Sequence, residues 1–179
     1  MTNKGMIIEP LDPARHDRAA FVSGVDQVDN YFRKTASKLD RADNVRAFVL
    51  LSPENELLGF YTLNAHSVDY SHLPTAFTRN RPGHGQIPAA FISMIGVDVR
   101  SQGKGLGSLL LADALKRIGR AARDVGIAIV LLDILDCGDQ AKVERRKLLY
   151  LRYGFQPLPD VPLRLFLPVA KIHALLNPS

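Results

Sequence analysis

The chain has 179 residues, 46% of them apolar, enough to bury one sizeable core and too many for a disordered chain. Lysine and arginine number 23 against 18 acidic residues, and the resulting charge of +5 is a modest bias towards a polyanionic partner. One cysteine excludes an internal disulfide framework, five scattered histidines lack metal-ligand spacing, and no apolar run is long enough to cross a membrane.

In chain order, Ile7-Ile8 opens a first strand that Pro10 and Pro13 close. Asp26 is placed to cap a helix carrying Val28, Tyr31, Phe32, Ala36 and Leu39, with Asp29 completing an acidic first turn. Val45 to Leu51 and Leu57 to Ala65 are apolar runs joined by Ser52-Pro53-Glu54-Asn55-Glu56, a turn between antiparallel strands, and Val68 continues the second. Ser71 to Pro88 holds three prolines and two glycines and reads as a long loop of functional rather than connecting type. Ala89 to Val99 is the next strand. A helix follows from Leu106, with Leu106, Leu110, Ala114, Ile118 and Ala122 on one apolar stripe. Gly119 inside it costs about 1 kcal/mol relative to alanine, which marks a close-packing position. Ile127 to Ile134 is a buried strand, 140–152 an amphipathic helix stopped by Tyr153-Gly154-Phe155, and Leu163 to Val169 a final strand. Without repeats or a linker, the pattern predicts one α/β domain over 1–179, a mixed sheet flanked by helices.

The junction between the Ile95–Val99 run and the helix at Leu106 carries the chemistry. Gly103, Gly105 and Gly107 let backbone N–H groups approach an anion closely, and the helix dipole favours negative charge there. No acidic residue follows Gly105 in the first turn, so the junction is expected to hold a phosphorylated cofactor. A phosphate-loop nucleotide site is excluded because no lysine-serine or lysine-threonine pair follows the last glycine. A dinucleotide fold fits poorly, since Asp124, about 20 residues on, falls at a helix end rather than at a strand tip.

Gln102-x-x-Gly105-x-Gly107 resembles the pyrophosphate signature of the GCN5-related N-acetyltransferases (GNAT). The resemblance implies that acetyl-coenzyme A is held by Ile95, Val97 and Val99 on the strand and by Gln102, Gly103, Lys104, Gly105, Leu106, Gly107 and Ser108 in the turn. It also implies the GNAT fold, a mostly antiparallel sheet between helices. Phe21-Val22-Ser23-Gly24, Asp29-Asn30-Tyr31-Phe32, Phe60-Tyr61-Thr62-Leu63, Leu149-Tyr150-x-x-Tyr153-Gly154-Phe155 and Leu165-Phe166-Leu167-Pro168 are similar to the acetyltransferase toxins of toxin–antitoxin pairs. Members of that branch acetylate the amino group of aminoacyl-tRNA, form homodimers, and are neutralised by a ribbon-helix-helix antitoxin whose complex binds operator DNA. The resemblance makes Tyr150 the candidate catalytic residue, giving a proton to the departing thiolate or holding it by a hydrogen bond; the single cysteine suits the cytoplasm, and no membrane partner or metal is expected. Leu149 stands where the branch usually has phenylalanine, and the connection after Asp133 is longer than usual.

Arg79, Arg81, Arg145, Arg146 and Lys147, followed by Lys34 and Lys38, are the residues expected to meet tRNA phosphates. Cys137 has no histidine nearby in sequence and is not expected to be a nucleophile. Two alternatives stand beside this reading: acetylation of a protein or small-molecule amine, and a noncatalytic co-repressor acting through an antitoxin.

Overall fold

The computed structural model describes residues 4–176. Seven strands, β1 (Ile7–Pro10), β2 (Arg46–Leu51), β3 (Leu57–Asp69), β4 (Gln86–Val97), β5 (Ile129–Asp133), β6 (Gln156–Pro157) and β7 (Arg164–Pro168), form one sheet in the order β1-β2-β3-β4-β5-β7-β6. The pairs β1–β2, β2–β3, β5–β7 and β6–β7 are antiparallel, whereas Ala89–Ile92 of β4 runs parallel to Ile129–Leu132 of β5. The chain divides into two compact units, Met1–Asn64 with Ser93–Ala114, and Ala65–Ile92 with Leu115–Ser179. Among the described residues no helix is long and apolar enough to cross a membrane.

The first unit is built around three phenylalanines. Phe32 and Phe60 stack with ring centroids 4.0 Å apart, and Phe21 meets both edge-on at 5.0 and 5.4 Å. Phe32 comes from a helical stretch made of α1 (Asp26–Asn30), a π-helical segment (Tyr31–Thr35) and α2 (Ala36–Arg41). Asp26 does not cap this stretch: Val25 holds the cap position, without a side-chain bond. The useful acid is Asp29, whose buried carboxylate accepts from the N–H and hydroxyl of Ser23 at 2.7 and 2.6 Å, closing the loop ahead of the helix. The wider π-helical winding at 31–35 has no signature in the apolar pattern.

The turn between β2 and β3 is as expected. Ser52 accepts from the N–H groups of Glu54 and Glu56, and Asn55 takes φ +64°. Gly96 lets β4 close onto the aromatic cluster. A Cβ there would lie 2.8 Å from Val28 Cγ1 and 2.9 Å from Phe60 Cε1.

In the second unit the core comprises Val68, Ile87, Ala89, Ile129, Leu131 and Phe166 from the sheet, with Leu73 and Leu158. The expected loop over 71–88 is shorter and more ordered than its composition suggests. β3 runs on to Asp69, short 3-10 turns form at Tyr70–His72 and Thr75–Phe77, and β4 already begins at Gln86. Leu73 is buried, and Phe77 sets its ring edge-on to Phe166 at 5.2 Å. Pro88 therefore lies inside a strand, where its carbonyl accepts from the Ala128 N–H at 2.9 Å.

The long helix α3 (Leu106–Ala121) leaves Ala122 in the following turn. Pro168-Val169, read as the end of a strand, is where an unforeseen helix α5 (Val169–Leu176) starts. Gly119 faces that helix, since a Cβ there would lie 3.3 Å from Ile172 Cγ2. Ahead of α5 in the chain, α4 (Gln140–Arg152) has the bounds its periodicity predicts.

Gly96→Ala is expected to cost about 1–3 kcal/mol of stability, because the methyl group must displace ring and valine atoms on a packed face. Denaturant unfolding of the two proteins measures the difference.

Candidate functional site

In the first unit, the end of β4 breaks the rule of alternation. Ser93 Oγ lies 2.8 Å from Thr62 Oγ1, while a Cβ on Gly96 would touch Phe60. Thr62 and Phe60 share a face of β3, so Ser93 and Gly96 face the same way although three residues apart. One extra residue in β4 between them, a bulge, accounts for this. Ile95 and Val97, the two strand residues expected to meet the cofactor, lie at this point and are half-buried.

Val99 does not extend the strand. β4 stops at Val97, and Val99–Ser101 form a 3-10 turn in which the Val99 N–H donates to the Val22 carbonyl at 2.8 Å. Asp98 causes the change. Its carboxylate, 1% exposed, accepts from the Arg100 N–H at 3.0 Å, Arg100 Nε at 2.8 Å and the Val22 N–H at 3.2 Å. Burial alone would raise this carboxyl, but the hydrogen bonds from Arg100 and Val22 outweigh it and hold the group below the ordinary aspartate range. Gln102 adds a second tie. Its side-chain amide donates to the Ser23 carbonyl at 2.7 Å and the Val97 carbonyl at 2.9 Å.

The glycines follow at once. Gly103 and Gly105 take φ +76° and +79°, a left-handed conformation that side chains disfavour, and nothing lies within 4 Å of where a Cβ would stand. The first bond into α3 runs from the Leu109 N–H to the Gly105 carbonyl at 3.2 Å. Among the described residues, the backbone N–H groups of Gly103, Lys104, Gly105, Leu106 and Gly107 donate to no protein acceptor. Ser108, the last residue of the expected cradle, is half-buried and has a partner within the chain. Lys104 Nζ folds back to the Arg100 carbonyl at 3.1 Å, Leu106 is buried as the anchor, and the first turn of α3 carries no acidic residue. Five unclaimed donors at a helix N-terminus, three of them on the exposed residues Gly103, Lys104 and Gly105, fit a diphosphate.

In the second unit, α4 carries Tyr150. Asp139 caps the helix by accepting from the N–H groups of Ala141 and Lys142 at 3.1 and 3.2 Å. Tyr150 is 4% exposed and sits edge-on to Phe155, with centroids 6.2 Å apart. Burial pushes its phenol up to about 12, against a smaller pull downwards from Arg146. The hydroxyl has no hydrogen-bond partner among the described residues. No buried side-chain oxygen among them is left unpartnered, so the Tyr150 hydroxyl keeps an opening to solvent.

The basic residues have different surroundings. On α4, Arg145 is exposed, Lys147 half-buried, and Arg146 turns inward to the Leu135 carbonyl and Cys137 Sγ, pinning the long connection back onto the helix. In the same unit Arg79 is exposed, while Arg81 Nε donates to the Phe77 carbonyl at 2.8 Å. Lys34 and Lys38 are exposed on the helical stretch of the first unit.

No protein-family model matches the chain. It is 57% identical over 181 residues, 99% of this chain and the whole of the relative, to a probable toxin TacT of Sinorhizobium fredii. It is 33% identical over 161 residues, covering 90% of this chain and 91% of the relative, to the tRNA-acetylating toxin of Mycobacterium tuberculosis. Among solved structures it resembles AtaT complexed with acetyl-methionyl-tRNAfMet, at TM-score 0.83 and 26% identity over 96% of this chain and 99% of that one. AtaTR bound with acetyl-coenzyme A gives TM-score 0.78 and 25% identity over 97% and 99%. The chain belongs to the GNAT-fold tRNA-acetylating toxins of toxin–antitoxin systems.

For a member of this family, the residues that sequence reasoning missed are those that shape the turn without touching its open side. Asp98 was visible as an acid directly ahead of the glycines. Its partner Val22 and the Gln102 partner Ser23, each more than 70 positions away, carried no local signal. Asp98→Asn is expected to lower stability by about 1–3 kcal/mol at neutral pH. Because the folded carboxyl is held low, its contribution is complete above the ordinary aspartate value near pH 4 and is lost as pH falls through the folded one. The gap between wild type and variant should therefore close in acid, which urea titrations across that range measure.

Proposed function

We propose that this toxin transfers the acetyl group of acetyl-coenzyme A to the α-amino group of aminoacyl-tRNA, which stops translation until a cognate antitoxin neutralises the protein. The observation that carries this reading is the run of five unclaimed backbone N–H groups at the start of α3, in a chain one-third identical to a tRNA-acetylating toxin. The partners that go with it are a ribbon-helix-helix antitoxin, operator DNA reached through the antitoxin complex, and a second copy of the chain in a homodimer.

Bound acetyl-coenzyme A supplies an activated thioester and a good leaving group. The backbone N–H groups from Gly103 to Gly107 grip its pyrophosphate, and Gln102 holds the turn in shape from behind. Ile95 and Val97, beside the bulge in β4, offer strand edges to the pantetheine arm. Val99 offers its exposed side chain rather than a strand edge. The Tyr150 phenol, kept neutral by burial, donates a hydrogen bond to the departing sulfur. An aminoacyl ester has a less basic amine than lysine, so no strong base need be dedicated to it, and positioning supplies much of the rate.

Arg79, Arg145 and Lys147, with Lys34 and Lys38, are the phosphate contacts in this reading. Arg81 and Arg146 are partly committed to backbone carbonyls and contribute less. The deciding experiment combines purified protein, labelled acetyl-coenzyme A and a mixture of charged tRNAs, with mass analysis of the released aminoacyl adducts. Label found only on proteins or polyamines would sink the tRNA assignment, and failure to bind acetyl-coenzyme A would favour a noncatalytic co-repressor.

Tyr150→Phe should lower kcat about a hundredfold while leaving the KM for acetyl-coenzyme A nearly unchanged, read by steady-state kinetics with saturating aminoacyl-tRNA. Replacing Arg79 and Arg145 together with alanine should flatten the dependence of log Kd for tRNA on log salt by about 1.5. A salt titration by filter binding measures that slope.

A further inference from the structure

The second unit carries a row of planar groups on one face of the sheet that the acetyl-transfer reading does not use. Phe91 of β4 is half-buried at the margin of the core. The exposed His66 of β3 lies 5.4 Å from it between ring centroids, tilted by 41°. From β7, the Arg164 guanidinium lies 5.6 Å from the Phe91 centroid. Asp133 of β5 takes the Arg164 fork in bidentate fashion, Nε at 2.7 Å and Nη2 at 2.8 Å. That pairing neutralises the arginine and occupies the edge with which it would grip a phosphate. It also fixes the guanidinium plane. What remains exposed is flat, polarisable surface with little net charge.

Phosphate-binding charge stands close by. Arg164 and Phe166 lie two residues apart on β7 and so share a face, and Phe77 packs edge-on against Phe166. Phe77 in turn begins the loop that carries Arg79 and Arg81. A stacking surface beside a short basic loop is the chemistry of a nucleotide, a π-face attached to a phosphate, rather than of a peptide side chain.

We infer that His66, Phe91 and Arg164 form a stacking site for an unpaired nucleobase, and that its occupant is the 3′-terminal adenine of the aminoacyl-tRNA. The inference rests on the proposed function for its ligand, since the terminal adenosine bears the esterified amino acid. Stacking there fixes the end of the acceptor strand against the protein without reading its sequence.

The test compares intact deacylated tRNA with the same tRNA carrying an abasic 3′-terminal nucleotide. It uses the wild type, Phe91→Leu, which keeps an apolar side chain at the core margin, and the surface variant His66→Ala. The wild type is expected to bind the abasic tRNA about tenfold more weakly, and each variant to bind the two tRNAs with nearly equal Kd. Unchanged binding of acetyl-coenzyme A shows that the variants are folded. A wild type indifferent to the missing base overturns the inference, as do variants that weaken both tRNAs equally. If such a wild type still acetylates aminoacyl-tRNA, the stacking site alone falls. If it neither binds tRNA nor acetylates aminoacyl-tRNA, the proposed function falls with it.

Discussion

The buried Asp98 carboxylate, with four donors converging on it, is the interaction around which the turn before α3 is built. A turn that binds an anion through its own N–H groups cannot also spend those groups on holding itself together. Here the work passes to side chains. Asp98 ties the turn to Val22 and Gln102 ties it to Ser23, so that residues 103–107 need no protein acceptors of their own. Leaving donors unpaired costs little where they face water, as at Gly103, Lys104 and Gly105, and donors held this way would need no reorientation to meet an anion.

The segment that receives these ties is itself held from the other side. Ser23 gives both its N–H and its hydroxyl to the buried Asp29, and Phe21 enters the aromatic cluster with Phe32 and Phe60. Arg33 also donates to the Phe21 carbonyl from Nε at 3.0 Å. Gly96 then lets β4 press against that same cluster next to the bulge. The turn before α3 is therefore fixed by a chain of contacts from the α1 region through residues 21–23, and the rigidity of a packed aromatic core is passed on to a glycine-rich loop.

How much of this could be read from the sequence depends on the range of the forces involved. The turn at Gly103–Gly107 and the helix 140–152 were legible, because glycine geometry, an aspartate cap and a 3.6-residue period act over a few residues. Asp26 misled because an acid before a helix resembles a cap until a neighbouring serine claims a different acid, Asp29. Val99 read as strand because apolar residues continue past Val97, whereas a buried carboxylate at Asp98 decides where the strand stops. Proline at 88 suggested loop, yet it lies within β4, with its carbonyl accepting from the Ala128 N–H. The row formed by His66, Phe91 and Arg164 joins positions 98 residues apart at its extremes and left no pattern in any window of the chain.

The phenol of Tyr150 shows why environment matters beyond residue type. With its value pushed up to about 12, it lies roughly 3–4 units above a typical thiol near 8.5, so complete proton transfer to a departing thiolate would be uphill by about 5 kcal/mol. A hydrogen bond suffers no such penalty, and it is strongest towards a sulfur on which negative charge is growing in a site with little water. The ammonium formed when an amine attacks is a far better acid than this phenol, and its proton is the one that can neutralise the thiolate in the end. In the proposed reaction, burial therefore suits Tyr150 to act as a permanently protonated hydrogen-bond donor, and Arg146, which pulls its value downwards, would temper the cost of developing charge there.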